Sequence, residues 1–457
     1  MARSTSRAAA AVAVALAWSF GAGTAAAESL RDALATAYAS NPTLQSARAQ
    51  LRQTDELVPQ ALSNWRPTVT VEGDVGAAWD DDVVDGGPDD SGGREPKSVA
   101  LDVTQPIYRG GRTVAQRDQA ENLVRAGRAQ LLTAEQLVLL QAVTAYVDVL
   151  RDIAVVDLTK NNQDVITEQL NATRERFDVG EVTRTDVSQA EARLSQAMAD
   201  RTQADGNLSS SRAVYRQIIG TLPGNLTVPD LPSGLPTNVE EVIALSENNP
   251  AVTQAVFLER AARDGTDVVF GELLPTVSIV GEVGTNDQIS NEDLSSSGAS
   301  IFARVVIPLY QAGNVESRVR ESKQLTGQRR QQLDEARRQT VQDATTAWQA
   351  LETAGAQIES FRAAVESNRT ALDGVRQEQQ VGLRTVLDVL DAQQEVLQAE
   401  VNLVVARRDH LVAAYQTLAA IGKLTALDLR LDVELYDPDR HYREVRDKWW
   451  GLNASGQ

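Results

Sequence analysis

The sequence predicts a mainly α-helical protein with a small β part, built as an internal tandem repeat. Proline is absent from residues 107–222 and 309–437 of the 457-residue chain, and blocks of that length suit very long helices. Mostly apolar positions recur along 383–418 in alternating steps of four and three, a spacing typical of helix-on-helix packing. Aromatic residues make up only 4% of the chain, which favours thin helical walls over a thick core.

The repeat is visible in matching motifs. Asn41-Pro42 recurs as Asn249-Pro250, and Pro-Ile-Tyr-Arg-Gly-Gly at 106–111 recurs as Pro-Leu-Tyr-Gln-Ala-Gly at 308–313. Such a period predicts two structurally equivalent units. We expect a signal peptide at 1–27, a first repeat at 28–222, a proline-rich linker at 223–237, a second repeat at 238–424 and a C-terminal tail at 425–457.

The N-terminal residues predict export from the cytoplasm. Arg3 and Arg7 precede an apolar run at 8–20, and Ala25-Ala26-Ala27 offers a cleavage site. An N-terminal membrane anchor is the alternative, but it needs a longer apolar run, so we expect cleavage after Ala27. The chain has no cysteine, which excludes disulfides and a lipid-modified cysteine.

Each repeat predicts the same order of elements. A short helix ends at an asparagine, which caps a second helix whose first residue is proline. This second helix should run to about Asn64 in the first repeat, with a kink at Pro59, and to about Gly271 in the second. A β-hairpin follows at about 67–106 and again at about 275–308.

The hairpin strands alternate apolar and polar residues. Val99, Leu101 and Val103, for example, share one face, and runs of about ten residues match membrane-spanning β-strands. Soluble hairpins are the alternative, but aromatic residues near the strand ends favour a membrane interface. These interfacial aromatics are Trp65, Trp79, Tyr108 and Tyr310. Acidic stretches rich in Gly and Ser at 80–97 and 285–298 predict surface loops.

A very long helix follows each hairpin, over about 113–177 and 315–380. About 65 residues at 1.5 Å each span roughly 100 Å. Glycine turns then break the chain, and return helices lead back towards the hairpin. Four strands per chain cannot close a membrane sheet, so the strands must be shared between chains. Two chains would give a barrel filled with side chains, whereas three would give twelve strands around a lumen.

Catalysis, metal binding and nucleic-acid binding find no support in the sequence. His410 and His441 are the only histidines and lie far apart, which argues against a histidine-based metal site. The net charge of −19 disfavours nucleic acid as a partner. The sequence has no nucleophile–base set and no phosphate-binding loop, so we expect neither an enzyme nor a cofactor.

Two further motifs accompany the repeated Asn-Pro and hairpin-end motifs given above, namely R-F-D-V-G-E-V-T-R-T-D-V at 176–187 and V-G-L-R-T-V-L-D-V-L-D-A at 381–392. Together these motifs resemble those of the TolC family of outer-membrane efflux proteins. The resemblance implies a homotrimer with a twelve-stranded β-barrel in outer-membrane lipid of a Gram-negative bacterium and a long α-helical barrel in the periplasm. It also implies an exit duct for tripartite efflux or type I secretion, joined by a periplasmic adaptor to an ABC or proton-driven inner-membrane pump. A soluble periplasmic coiled-coil adaptor or scaffold is the alternative, and the alternating strands argue against it.

The same resemblance implies a periplasmic entrance near the second glycine turn. Asp388 and Asp391 are three residues apart and so share one helix face. In an unrelated helix they would form only a solvated acidic face, but family carboxylates that match them narrow the entrance. Three chains would then bring six carboxylates together, a ring that attracts cations.

A latch and two contact surfaces are implied as well. Arg384 matches an arginine that ties the entrance shut by bonding to the neighbouring helical hairpin, and Gln379 stands where the family has a tyrosine. The matching partners of this arginine are Thr185 and Asp186. The turns are also expected to contact the adaptor, besides ending their helices; they comprise Val179, Gly180 and Glu181 in the first repeat and Val381, Gly382 and Leu383 in the second.

Overall fold

The computed structural model describes residues 28–82, 90–289 and 295–453. The predicted signal peptide lies outside these residues. The helices are α1 (Leu30–Ser40), α2 (Pro42–Asp55), α3 (Leu57–Ser63), α4 (Arg112–Asp178), α5 (Arg184–Ile219), α6 (Val239–Ser246), α7 (Pro250–Phe270), α8 (Asn314–Gln380), α9 (Val386–Ala420) and α10 (Arg440–Val445). The strands are β1 (Thr68–Val75), β2 (Ala78–Asp82), β3 (Asp90–Arg94), β4 (Lys97–Arg109), β5 (Thr276–Asp287) and β6 (Ser295–Val306).

The two repeats use the same asparagine cap. Asn41 and Asn249 each accept the backbone N–H two residues later at 2.9 Å, and proline follows as the first residue of α2 and α7. Their side-chain amides also donate to the end of a return helix. Asn41 bonds to the Ile218 carbonyl at 2.8 Å and Asn249 to the Ala420 carbonyl at 2.9 Å. Each asparagine therefore fixes the start of one helix against the end of another.

The predicted kink at Pro59 is a complete break between two helices. α2 ends at Asp55 and α3 begins at Leu57. Proline has no N–H to donate to the carbonyl of Asp55 four residues earlier, and its ring crowds that carbonyl. In the second repeat α7 has no proline beyond its first position and continues without a break to Phe270.

The predicted long helices are confirmed, with 67 residues in each of α4 and α8, or about 100 Å. α4 packs with α5 and α8 packs with α9 as two helical hairpins, while α7 contacts both long helices and α4 contacts α9. After Leu383, every position of the predicted heptad seam is buried or half-buried. None of the described helices is long and apolar enough to cross a membrane.

The main core forms where α1, α4, α5 and α9 meet the segment that follows α9. Tyr146, Tyr215 and Leu424 are fully buried there. Tyr215 donates its hydroxyl to the Glu28 carboxylate at 2.6 Å, and the Tyr146 hydroxyl accepts the N–H of Thr227 at 3.0 Å. The start of the first repeat and the linker between the repeats are therefore held against the same core.

The four main strands form one antiparallel sheet in the order β1-β4-β5-β6. Residues that pair directly across antiparallel strands point to the same face. Val71, Leu101 and Val283 pair side by side, and Asp102 pairs with Glu282 on the opposite face. The sheet therefore has one apolar and one polar face. Within the described part of the chain, β1 and β6 each pair along one edge only.

The connections between strands correct three expectations. Residues 80–97 are not only a loop, because β2 and β3 pair there as a two-stranded ribbon. Trp79 lies opposite Gly93 in this ribbon, and glycine has no side chain to obstruct the indole. β5 and β6 extend into 285–298, since polar residues continue the strands beyond their apolar part. β4 continues past Pro106, where the register shifts because proline has no N–H for the sheet.

Candidate functional site at the hairpin tips

Both helical hairpins turn through the same five-residue loop, at 179–183 and 381–385. Gly180 and Gly382 have φ angles of +79° and +80°, in the left-handed region that glycine occupies without strain. In each loop the residue after the glycine donates its N–H to a carbonyl five residues earlier, at 2.8 and 2.9 Å. These bonds satisfy the end of the long helix and reverse the chain.

Capping boxes start both return helices. The Asp186 carboxylate accepts the backbone N–H of Thr183 at 2.8 Å, and the Asp388 carboxylate accepts that of Thr385 at 2.8 Å. In return, the two threonine hydroxyls accept the aspartate N–H groups at 3.3 and 3.2 Å. Donors that a helix start would otherwise leave without a partner are satisfied in this way. Asp186 and Asp388 therefore stabilise their own turns, besides any role at an entrance.

The cap also stabilises the charge of Asp388. The N–H and the hydroxyl of Thr385 bond to its carboxylate and lower the pKa of Asp388 below its ordinary value, with a smaller contribution from Arg384. Hydrogen bonds to the ionised form always act in this direction. The tip of the second hairpin therefore carries this negative charge well into the acidic pH range.

Arg384 bonds within its own hairpin. Its Nε donates to Glu378 Oε2 at 2.9 Å. The corresponding contact of the first hairpin joins Arg176 Nε to Glu181 Oε2 at 3.1 Å. Each turn is therefore spanned by one ion pair, and the arginine precedes the glycine in one repeat and follows it in the other. About half of the Arg384 and Glu378 side chains is exposed, so water screens this pair.

The predicted bonding of Arg384 to Thr185 and Asp186 is not made inside the single chain. Glu378 is six residues from Arg384 and binds it instead, while the Asp186 carboxylate is used by the cap of α5. Gln379 contributes its backbone carbonyl, which accepts the N–H of Gly382 at 3.1 Å. The bonding of Arg384 to Thr185 and Asp186 of a neighbouring hairpin, which in an oligomer can belong to another chain, stays a prediction.

Near the tips, an ion pair between Arg193 on α5 and Asp391 on α9 connects the two hairpins of the chain, and a second pair, between Arg408 on α9 and Asp148 on α4, connects them closer to the main core. The pair near the tips lies beside an apolar cluster in which Leu390 of α9 packs with Ile166 and Ala190 of the first hairpin. Asp391, predicted to line an entrance, is therefore partly neutralised by a cation. Arg193 was not predicted from the sequence because its partner is 198 residues away. The one available signal was that both residues occupy the first three turns of their return helices.

The turns present apolar side chains to solvent. Val179, Val381 and Leu383 are each more than 70% exposed. Exposed apolar side chains grouped at the end of a long helical hairpin are typical of a contact surface for another protein.

The predicted interfacial aromatics divide between the two ends of the sheet. Trp65 precedes β1, Tyr108 is the last but one residue of β4, and Tyr310 follows β6. These three residues lie at one end of the sheet, where β1 and β5 begin and β4 and β6 end. We call this end the helix-side rim. Trp79 lies in the ribbon at the opposite end.

Known proteins resemble this chain over most of its length. A model of the family described as outer membrane efflux protein matches residues 33–221 and 244–423. The chain is 36% identical over 432 residues to the outer membrane efflux protein BepC of Brucella suis, which covers 94% of this chain and 93% of that protein. It is 26% identical over 413 residues to the outer membrane protein TolC of Vibrio cholerae, which covers 88% of this chain and 92% of that protein.

Solved structures share the fold. The CmeC outer membrane channel of Campylobacter jejuni superposes with a TM-score of 0.78 at 16% identity, covering 92% of this chain and 89% of that chain. The outer membrane protein VceC of Vibrio cholerae gives 0.75 at 17% identity, covering 86% and 96%. The two matched segments of the family model include the sheet and both hairpin tips. This chain therefore belongs to the outer membrane efflux protein family, whose members are outer-membrane channels of efflux or secretion systems.

Proposed function

We propose that three copies of this chain form an exit duct that carries substrates of efflux or type I secretion from an inner-membrane pump, through the periplasm, to the exterior. The observation that carries this proposal is the open four-stranded sheet, with one apolar face and two edges that pair with nothing in the described chain. Three such sheets joined edge to edge make a closed barrel of twelve strands.

The energetics of the sheet support closure in a membrane. Val71 is 71% exposed and Ile301 is 78% exposed on the apolar face, and burying apolar surface is worth about 25 cal/mol per Å². An open edge in lipid would cost several kcal/mol for each unpaired backbone group. Closure removes that cost and lipid covers the apolar face. A barrel from two chains would be filled with side chains and would leave no passage.

A soluble periplasmic adaptor or scaffold is the second candidate function. A soluble adaptor could have the same helical hairpins as a duct. However, it would leave the apolar face of the sheet exposed to water. The same sheet therefore favours the duct over the adaptor.

The hairpin tips lie about 100 Å of helix away from the sheet and form the periplasmic entrance in this proposal. Three chains place three copies of Asp388 and Asp391 around one opening, where their field attracts cations. Arg193 offsets part of the charge of Asp391, so the constriction is less acidic than six free carboxylates. The duct is narrow at rest and opens when the hairpins separate.

The partners follow from the same arrangement. The exposed apolar residues at the tips, Val179, Val381 and Leu383, are suited to contact the ends of helical hairpins in a periplasmic adaptor. Glu181 and the two turn glycines complete this surface. The adaptor in turn connects the duct to an ABC or proton-driven pump, which selects the substrate.

Membrane fractionation tests this proposal against the soluble adaptor. The mature protein should sediment with outer membranes and migrate in gels as an oligomer that heating converts to a monomer. Recovery of a monomer in the soluble periplasmic fraction would refute the duct and favour the adaptor.

A further inference from the structure

The C-terminal tail follows α4 towards the sheet. Asp439 pairs with Arg128 at 2.5 Å, and seven residues later Arg446 lies 4.0 Å from Glu121. Tyr442, between them, packs against the apolar contact of α3 with α4. Later residues of the tail therefore contact earlier residues of α4, so the tail runs antiparallel to this helix towards the sheet.

The tail reaches the foot of β1. Arg66, two residues before this strand begins, donates from Nη1 to the Lys448 carbonyl at 2.7 Å. The guanidinium carbon of Arg66 also lies 4.9 Å from the centre of the Trp449 ring, a cation–π contact. Trp65, the neighbour of Arg66, binds β4 through its carbonyl, which accepts the side-chain N–H of Gln105 at 2.8 Å. Trp449 is thereby fixed at the helix-side rim of the sheet.

The last described part of this segment is apolar and mostly exposed. Trp449 is 69% exposed, Trp450 is 90% exposed and Leu452 is fully exposed. Lys448, just before them, donates from Nζ to the Asn453 carbonyl at 2.8 Å and folds the segment back on itself. Two adjacent exposed tryptophans are costly in water, whereas an indole ring is stabilised where its apolar body meets lipid and its N–H meets the polar headgroups.

We propose that Trp449, Trp450 and Leu452 form an interfacial anchor, which inserts between the lipid headgroups of the membrane leaflet nearest the helices. The anchor rests on the proposed insertion of the sheet into the outer membrane. It extends the aromatic rim formed by Trp65 and the tyrosines at the ends of β4 and β6, and the cation of Arg66 lies where lipid phosphates would be. Through the tail, which follows the last strand by more than a hundred residues of sequence, the anchor connects the membrane surface to the helical core.

A single fluorescent label measures the depth of this segment. The chain has no cysteine, so Leu452→Cys supplies a unique thiol and leaves both tryptophans in place. The labelled protein is reconstituted into vesicles of phosphatidylethanolamine and phosphatidylglycerol, without brominated lipid, with lipids brominated near the headgroup, or with lipids brominated in the middle of the acyl chain. Val71→Cys on the apolar face of the sheet serves as the lipid reference, and Leu427→Cys, exposed in the same tail, serves as the water reference.

We expect the label at position 452 to emit to the blue of the label at position 427 and to lose intensity with brominated lipid. Replacing both tryptophans by serine in the Leu452→Cys protein should shift its emission back towards that of position 427. A label at 452 that behaves like the one at 427, while the label at 71 is quenched, refutes the anchor and leaves the duct intact. Protection of position 452 from both brominated lipid and aqueous iodide would also refute it, because the segment would then pack on a neighbouring chain. A label at 71 that lipid does not quench would overturn the membrane location of the sheet, and with it the anchor.

Discussion

The two ends of the long helices differ in how their polar and apolar groups are satisfied. At the sheet, two strand edges and one apolar face have no partner among the described residues of the chain. At the hairpin tips, the backbone is closed by glycine turns and capping boxes, and Arg384 pairs with Glu378 inside one tip. The sheet end therefore needs other chains and lipid, whereas each tip satisfies its own backbone and leaves exposed apolar side chains for a partner.

This difference suits the sheet end to holding the chains together and the tips to opening and closing the entrance. In the proposed trimer, edge-to-edge pairing would join the sheets along whole strands, and its loss would expose backbone to lipid, so the membrane end should stay closed as a barrel. Contact between the two tips of one chain rests on one partly exposed ion pair and a small apolar cluster. Contacts of that size can be lost and regained, as an entrance that opens and closes requires.

A charge on the apolar face of the sheet should have the largest effect. Val71→Lys places a cation towards lipid near the middle of β1, at a cost of about 2–4 kcal/mol per chain. We expect the oligomer to disappear from the outer membrane, as measured by gel migration without heating. Thr70→Lys is the matched control, since its side chain points to the polar face, and it should assemble normally. Equal loss in both variants would show that the sidedness of the sheet is not what places it in the membrane.

Replacing the glycine of a tip should have the next largest effect. Gly382→Ala forces alanine to a φ of +80°, which costs roughly 1–2 kcal/mol. No atom lies within 4 Å of the added Cβ, so the effect is purely one of backbone strain. We expect faster amide hydrogen exchange over residues 378–388 and a higher single-channel conductance.

Gly374→Ala in α8 is the matched control for that variant. Its added Cβ also has nothing within 4 Å, but its backbone is helical, so alanine should stabilise the helix by about 0.5–1 kcal/mol. Faster exchange at the tip in both variants would contradict the strain argument.

Loss of the ion pair between the hairpins near their tips should have a smaller effect. Asp391→Asn removes one partner of Arg193, and a pair this exposed is worth under about 1 kcal/mol. Three copies act on one opening, so conductance should still rise measurably. Arg176→Gln removes an ion pair inside one hairpin and should leave conductance unchanged. Arg384→Ser should resemble Arg176→Gln unless its predicted bonding to a neighbouring chain is made, in which case conductance rises further when Asp186→Ala is added.

The pH dependence of the tip should be the smallest effect. The pKa of Asp388 is lowered in the folded protein, so the charged cap stabilises α9 at every pH above the ordinary aspartate pKa of about 3.9. This stabilisation is lost as the pH falls through the lower, folded pKa. Protection factors of the first α9 amides should therefore fall between pH 5 and the most acidic pH that the protein tolerates. Asp388→Asn should show low protection at both pH values, and a wild-type protein without such a decrease would contradict the cap.

Features that depend on nearby residues could be predicted from the sequence. The asparagine caps, the glycine turns and the long helices each follow from a few adjacent residues and their spacing, and the structure confirms them. The break at Pro59 was also predictable, although its completeness was not, because the neighbouring packing decides whether a helix bends or ends.

Features that depend on distant residues were missed. Arg193 and Asp391 are about two hundred positions apart, and the tail contacts α4 across about three hundred positions. No pattern of neighbouring residues predicts either contact. The latch of Arg384 was inferred from family resemblance alone. Inside this chain a nearer acid, Glu378, binds that arginine first, because its approach costs less chain entropy than a contact with another hairpin.

One preparation can test whether this chain forms a trimeric exit duct. The mature protein in mild detergent should have the native mass of three chains, and the same sample should form cation-selective channels in planar bilayers. Trivalent cations should block these channels only from the side of the hairpin tips, and Asp388→Ala combined with Asp391→Ala should abolish the block. A monodisperse monomer that conducts no current would contradict the account of this chain as a trimeric exit duct.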